Sequence, residues 1–358
     1  MERFVSVFGD VEDPRAANAR HDFVAVLFIA LLAVLCGAES CADMADFGRS
    51  KEKLLRRVLK LPHGVPSHDT FSRVFRHVNP ESFAAAFGNF ARAFARNLEG
   101  VVAIDGKALR GAYDRGHRAS PLHLVNVWAA EARLVIGQQL APGRNEAKGA
   151  RQALALLALD GCIVTADALH CRPDTARAIL ASGADYALAL KDNQPLLRAK
   201  AEALLAAAPD PDRAETETLR SHDRIEVRRA AVVPAQDLDF PGIAAIGRVE
   251  TLRTTQEGQT TSMVRFFVLS TRVSASRMID IARTHWSIEN QLHWVLDVVL
   301  AEDAARNRKD HGPQNLAILR KIALNLLRTH PDKASLRRKI KKAGWDDTFL
   351  LSLTAQMR

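Results

Sequence analysis

Two short apolar runs, each closed by an aspartate, limit what this chain can fold into. VVAID (101–105) and GCIVTAD (161–167) are apolar along most of their length and too short for buried helices, so both read as buried strands. Between them, LHLVNVWAA (122–130) and RLVIGQQL (133–140) are strand-like and joined by Glu131-Ala132, a hairpin. Asn145 and Glu146 then open a helix through Leu157. After the second acid-ended run, Pro173 to Ser182 is a helix stopped by Gly183, and DYALAL (185–190) is a fifth strand.

The order is three strands, helix, strand, helix, strand. That is the order of an α/β, ribonuclease H-like core, in which the first and fourth strands are neighbours. Asp105 and Asp167 would then emerge side by side at one sheet edge. Two such carboxylates repel unless a cation lies between them, and hard oxygen ligands favour Mg²⁺ or Mn²⁺ over zinc. The competing reading is that each aspartate only ends a strand as a turn residue.

A third acid should come from a helix after the fifth strand. RTHWSIENQLHWVLDVVLAED (283–303) offers Glu289, Asp297, Glu302 and Asp303. On one straight helix His285, Glu289, His293 and Leu296 share a face, and Trp286, Asn290 and Asp297 the next. Glu289 and Asp297 would point about 80° apart, so both cannot easily reach one metal pair. Glu289 is favoured as the ligand, with Asp297 a packing or supporting residue. The H-E-x-x-H arrangement of a zinc protease is absent, which leaves a His285/Glu289/His293 zinc site as the lesser alternative. Two divalent ions held by three acids suit in-line displacement at phosphorus.

The rest of the chain divides by pattern. Residues 1–98 read as a helical domain, 99–209 as the first part of the core, 210–270 as a small β-rich insertion, and 271–358 as a helical remainder. The run 23–38 carries no charge, but its 16 residues fall short of the roughly 20 that span a bilayer. It is expected to be a buried helix, with no membrane partner. Phe83, Phe87, Phe90 and Phe94 recur at spacings of three and four, a core stripe. Four cysteines without a secretory signal point to a reducing, cytoplasmic setting. Cys36 and Cys41 do not form a C-x-x-C pair.

The net charge of +9 is concentrated in the last 58 residues, which carry 13 Lys/Arg against 6 Asp/Glu. Arg337, Arg338, Lys341 and Lys342 crowd one or two helical turns there, which suggests a polyanion, nucleic acid first. The alternative is a solvated basic face.

With these residues in view, AIDGKALRGA, VTADALHC followed by DYALALKDNQP, and RTHWSIENQLHWVLDV with its trailing Glu302-Asp303 resemble the signature blocks of DDE transposases of bacterial insertion sequences. The group resembled is that of the H-repeat-associated, Rhs-linked proteins. DPRAANARHDF and GVPSHDTFSRVF resemble that group's N-terminal domain, and the likeness runs from about Asp13 to Trp345. It implies a catalytic, metal-binding triad of Asp105, Asp167 and Glu289 with two Mg²⁺ or Mn²⁺. Asn145-Glu146 resembles a helix-opening pair of the family, and His222, Arg224 and Glu226 a His-Gly-Arg-x-Glu element. Asp223 stands at that glycine, and Ala147 at an isoleucine.

The reaction implied is nicking of double-stranded DNA at transposon ends, then attack of the freed 3′-hydroxyl on target DNA by a homodimer assembled on DNA. Lys107, Arg110, His222 and Arg224 join the basic C-terminal residues as candidate DNA contacts. His285, Trp286, Asn290, His293 and Asp297 are candidate supporting residues. Two other readings remain: an immobile relative that binds DNA and at most nicks it, and a non-catalytic DNA-binding protein.

Overall fold

The structure is a computed structural model that describes all residues except Met1, Ala93, 95–97, 113–120, 221–223, 236 and 356–358. Helices α1 (Glu2–Phe8), α2 (Phe23–Leu35), α3 (Cys41–Ser50), α4 (Glu52–Val58), α5 (His68–His77) and α6 (Pro80–Arg92) come first. The uncharged run forms α2, buried at every position but Val24, with Asp22 capping its first turn through Ala25 N. No described helix is long and apolar enough to cross a membrane.

Strands β1 (Gly100–Leu109), β2 (Leu122–Ala129) and β3 (Leu134–Leu140) form an antiparallel meander, followed by α7 (Glu146–Leu154). Asn145 caps α7 by accepting from Lys148 N at 3.0 Å. Then come β4 (Cys162–Ala166), α8 (Pro173–Ala181), β5 (Asp185–Leu190) and α9 (Pro195–Ala207). β4 runs parallel to both β1 and β5. The element order expected from periodicity is therefore present, with β1 and β4 adjacent.

One expectation needs correction. β1 does not end at Asp105. It continues to Leu109 because Gly106 to Leu109 stay paired with Val125 to Leu122 of β2. What ends near Asp105 is β4, whose ladder with β1 stops at Ile104 opposite Ala166. Residues 210–270 are rich in antiparallel strand and extend the sheet. β6 (Asp212–Arg220), β7 (Arg224–Pro234), β8 (Ala245–Thr254) and β9 (Thr260–Leu269) join through β9 on β5, giving the order β3-β2-β1-β4-β5-β9-β8-β7-β6. This pairing satisfies backbone groups that an unpaired edge of β5 would leave bare.

The chain then returns as α10 (Ala275–His285), a π-helical segment (Ile288–His293), α11 (Trp294–Val298), α12 (Gly312–Thr329), α13 (Leu336–Trp345) and α14 (Asp347–Ala355). Every residue of α12 from Gly312 to Leu327 is buried. It packs against α2, α5, α6 and β3, so the N-terminal helices share one apolar core with the sheet. Phe83, Phe87 and Phe90 lie in that core, as their spacing predicts, and Phe94 packs at its margin.

The polar residues of α12 are ties. Asn315 donates to Phe75 O and Val78 O at the end of α5. Asn325 donates to Val135 O at 2.8 Å and accepts from Val135 N at 3.0 Å, acting as a neighbouring strand for the edge of β3. Asn325→Ala would leave both groups of Val135 buried and unpaired, at about 1–3 kcal/mol each. A clear drop in the urea midpoint is expected, whereas an unchanged midpoint would show that the tie contributes nothing.

Candidate active site

Asp105 stands where β4 leaves the sheet, so β1 is open on one side at its carboxylate. Its Oδ1 accepts from Gly106 N at 2.9 Å, and its Oδ2 lies 3.6 Å from His293 Nδ1. Asp167 leaves β4 to cap a short 3₁₀ turn, accepting from Leu169 N at 3.0 Å, with its side chain about half exposed. Glu289 lies in the π-helical segment and is exposed.

The three carboxylates share one electrostatic neighbourhood. Burial pushes the Asp105 carboxyl up to about 7, and the charges of Glu289, Asp167 and Glu146 push the same way against the Gly106 N–H. Among the described residues, no three His, Cys, Asp or Glu side chains converge tightly enough to hold a metal ion as they stand.

Glu146, in the first turn of α7, is a fourth acid of this neighbourhood. Its carboxylate lies against the backbone of Gly106, where a Cβ would collide with it. His123 on β2 holds it through Nδ1 at 3.2 Å from Oε1.

The helix expected over 283–303 is not straight. The π-helical turn widens the spacing between α10 and α11, so the faces drawn for a 3.6-residue helix do not hold through Glu289. His285 and His293 nonetheless both face the sheet. His285 Nδ1 lies 3.1 Å from Thr165 Oγ1, and His293 Nε2 lies 3.2 Å from the Asn126 amide. Burial drives His285 down to about 4 and His293 down to about 3, so both are neutral near pH 7. A neutral His293 that accepts from Asn126 carries its proton on Nδ1, towards Asp105.

Lys107 points inward. Its ammonium lies 2.7 Å from Asp297 and 3.2 Å from Asp303, and the side chain is 7% exposed. Burial opposes that charge, but Glu302, Asp297 and Asp303 outweigh it and raise the lysine above its ordinary value. Lys107, expected from sequence to touch DNA, is thus enclosed by carboxylates, and Asp297 is the partner that encloses it. Arg110 is 82% exposed, with Asp303 3.7 Å away.

On α13, Arg337 donates to Val298 O and Lys342 pairs with Asp332 at 2.7 Å, while Arg338 and Lys341 are exposed. Lys339, from the same basic run, is buried on Leu327 O and His330 O. His222 and Asp223 lie outside the described residues. Arg224 opens β7, and Glu226 pairs with Arg228 and Arg253.

Two features escape a reading of the sequence. His170, inside VTADALHC, is fully buried with Nε2 4.0 Å from Asp167 Oδ1, and burial lowers its basicity. Beside Glu289, a cleft of about 300 Å³ is lined by Arg228, Arg253, Arg265, Arg283, Trp286 and Asn290. The Arg265 guanidinium sits 4.7 Å from the centroid of the exposed Trp286 ring. Arg228, Arg253 and Arg265 come from β7, β8 and β9, and only the tertiary fold sets them beside this helix.

A transposase DDE domain model matches residues 96–326, and a model of the domain associated with it matches residues 5–91. The chain belongs to the DDE transposase family, within its H-repeat-associated group. It is 33% identical to protein YbfL of Escherichia coli (strain K12), over 99% of this chain and 98% of that one. It is 32% identical to the H repeat-associated protein YhhI of the same strain, over 94% and 93%. A piggyBac transposase synaptic complex with hairpin DNA aligns at 11% identity and a TM-score of 0.41, covering 99% of this chain and 77% of that one, too distant to carry an argument.

Crowded carboxylates strain the metal-free protein. Asp105→Asn is therefore expected to raise the melting temperature in EDTA by about 1–2 °C, on the order of 1 kcal/mol for a chain of this size. Excess Mg²⁺ should stabilise the unmutated protein more than the variant. A variant that melts lower in EDTA would mean that the carboxylate is held by favourable contacts.

Proposed function

We propose that the chain is an insertion-sequence transposase that cuts DNA at element ends and joins the freed 3′-hydroxyl to target DNA, using Asp105, Asp167 and Glu289. In this reading β1–β5 with α7 and α8 are a ribonuclease H-like core, and β6–β9 flank the DNA path. The observation that carries it is the electrostatic one: acids from the end of β4 and the helix after the sheet bear on the β1 carboxyl, which is pushed up to about 7.

The donor set fits a hard divalent cation. It consists of carboxylate oxygens, and the adjacent imidazoles are tied to Thr165 and Asn126. Asp105, Asp167 and Glu289 would hold two Mg²⁺ or Mn²⁺, which supply activation of the attacking oxygen and charge neutralisation at the phosphate. The chain's own residues do the rest. Neutral His293 directs a proton at Asp105 without adding a competing positive charge. Lys107 and Asp297 fix the separation between β1 and the helix that carries Glu289. Arg265 and Arg283, with Arg228 and Arg253 sharing Glu226 beside them, give the approach a net positive charge, so a DNA strand would reach the acids along their cleft. The working unit is a homodimer on DNA.

Asp105→Asn, Asp167→Asn and Glu289→Gln should each lower Mg²⁺-dependent nicking of an end-containing duplex at least about 1,000-fold, the loss of roughly 4 kcal/mol of transition-state stabilisation. Gel-shift affinity should stay within a few-fold. Asp297→Asn should retain measurable nicking. Parallel loss of binding and nicking in the triad variants would sink the assignment, and an active Glu289→Gln beside a dead Asp297→Asn would move the third ligand two turns along.

A further inference from the structure

We infer that the docking surface for the flank of a bound DNA duplex is built from two elements far apart in sequence, the outer face of α5 and the loop at residues 304–311. This rests on the proposed function and names where that partner is gripped. The loop reads AARNRKDH and lies against the end of α5. His311 N donates to Arg76 O at 3.2 Å, and Arg76 Nε reaches Asp310 Oδ2 at 2.6 Å. Arg308 Nε donates to Gly111 O at 3.1 Å, just past the end of β1. Asn307 donates to Cys41 Sγ of α3 at 3.7 Å. Together these close a depression of about 340 Å³ whose rim carries Arg76, Arg306, Arg308 and Lys309, over a floor of Cys41, Phe75 and Leu316.

A merely solvated basic loop has no need of this construction. The loop holds Asp310 at positive φ (51°), an uncommon conformation for a non-glycine residue, beside its pairing with Arg76. Of the acids nearby, Asp310 is matched by Arg76 and Asp303 by Lys107, while Asp69, in the first turn of α5, lies 3.2 Å from His68. Arg306 and Lys309 on the rim, and Arg73 three residues before Arg76 on α5, are exposed and have no carboxylate partner among the described residues. Exposed cations on and beside a concave surface suit the phosphates of a nucleic acid backbone.

The position fits the same duplex that would enter the acidic site. β1 leads from Asp105 to exposed Arg110 in five residues, about 17 Å of strand. That distance corresponds to about five phosphates along one DNA strand. A duplex with its scissile phosphate at Asp105 would therefore pass Arg110 and bring its flank onto the loop and α5. The helices before the sheet and the loop after the catalytic helix then share one task.

The test measures binding of full-length protein to a blunt duplex oligonucleotide by fluorescence anisotropy in EDTA, across a salt series. Arg73→Gln/Arg306→Gln/Lys309→Gln should flatten the slope of log affinity against log salt by about 0.9 for each phosphate no longer neutralised. Arg306→Lys/Lys309→Arg, which keeps the charge, should retain the slope. Arg177→Gln/Lys200→Gln, at exposed positions of α8 and α9, serves as the control for net charge and should leave it nearly unchanged. An unchanged slope in the triple variant, an equal loss in the control variant, or no duplex binding by the unmutated protein overturns the inference. Binding through this surface by a protein that never nicks DNA in Mg²⁺ would defeat the proposed reaction while supporting the surface.

Discussion

The arrangement of the acids depends on an ion cluster that none of them belongs to. Lys107 comes from the same strand as Asp105, two residues on, and Asp297 from the helical stretch that carries Glu289. Their pairing at 2.7 Å joins the two elements that must bring carboxylates together. The cluster continues inward, because Glu302 pairs with fully buried Lys321 on α12 at 3.2 Å. Removing one member would leave an opposite charge buried and unpaired, which is more destabilising than losing the attraction alone. The strand, the broken helix that carries Glu289 and α12 are thus held at fixed separations by charge, while the apolar core supplies most of the cohesion.

α12 extends the same logic to the whole molecule. A helix buried from Gly312 to Leu327 would ordinarily be apolar all round. This one carries Asn315, Arg320, Lys321 and Asn325 inside, each bonded to another segment. Arg320 reaches Leu300 O and Glu39 O, so it ties the loop after α11 to the segment before α3. Such bonds are directional where apolar packing is not, and they define how the N-terminal helices seat on the sheet. The N-terminal helices consequently share the core of the sheet, and the loop 304–311 is pinned between α3, α5 and the end of β1.

At the site itself, burial and like charge act together. Asp105 is withdrawn from water and faces other acids, while the imidazoles nearby are buried neutral and offer no compensating charge. Positive charge is instead kept at the margins, in the arginines around Trp286 and in Arg110. A negative centre with a positive approach agrees with the proposed reading, in which an anionic polymer is drawn in and met by cations at the acids.

Much of this is legible in the sequence, for a physical reason. Strand and helix periods, the short apolar runs ending in Asp105 and Asp167, the uncharged α2 and the phenylalanine stripe of α6 are local signals, each set by a few neighbouring residues and the solvent. The long blocks around Asp105, Asp167 and Glu289 likewise carry the family on their face. Pairings between distant segments are not legible. The length of β1 depends on pairing with β2, the extent of the sheet on β9 finding the edge of β5, and the inward turn of Lys107 on Asp297, 190 residues away. The π-helical turn at Glu289 departs from the period by which a helix is recognised. The basic run at 337–342 reads as one patch, yet three of its members turn to Val298 O, Asp332 and the carbonyls of Leu327 and His330. Sequence alone determined which elements exist and which family the chain belongs to; the tertiary structure decided which charges face each other, because charge pairing depends on distance through space and not along the chain.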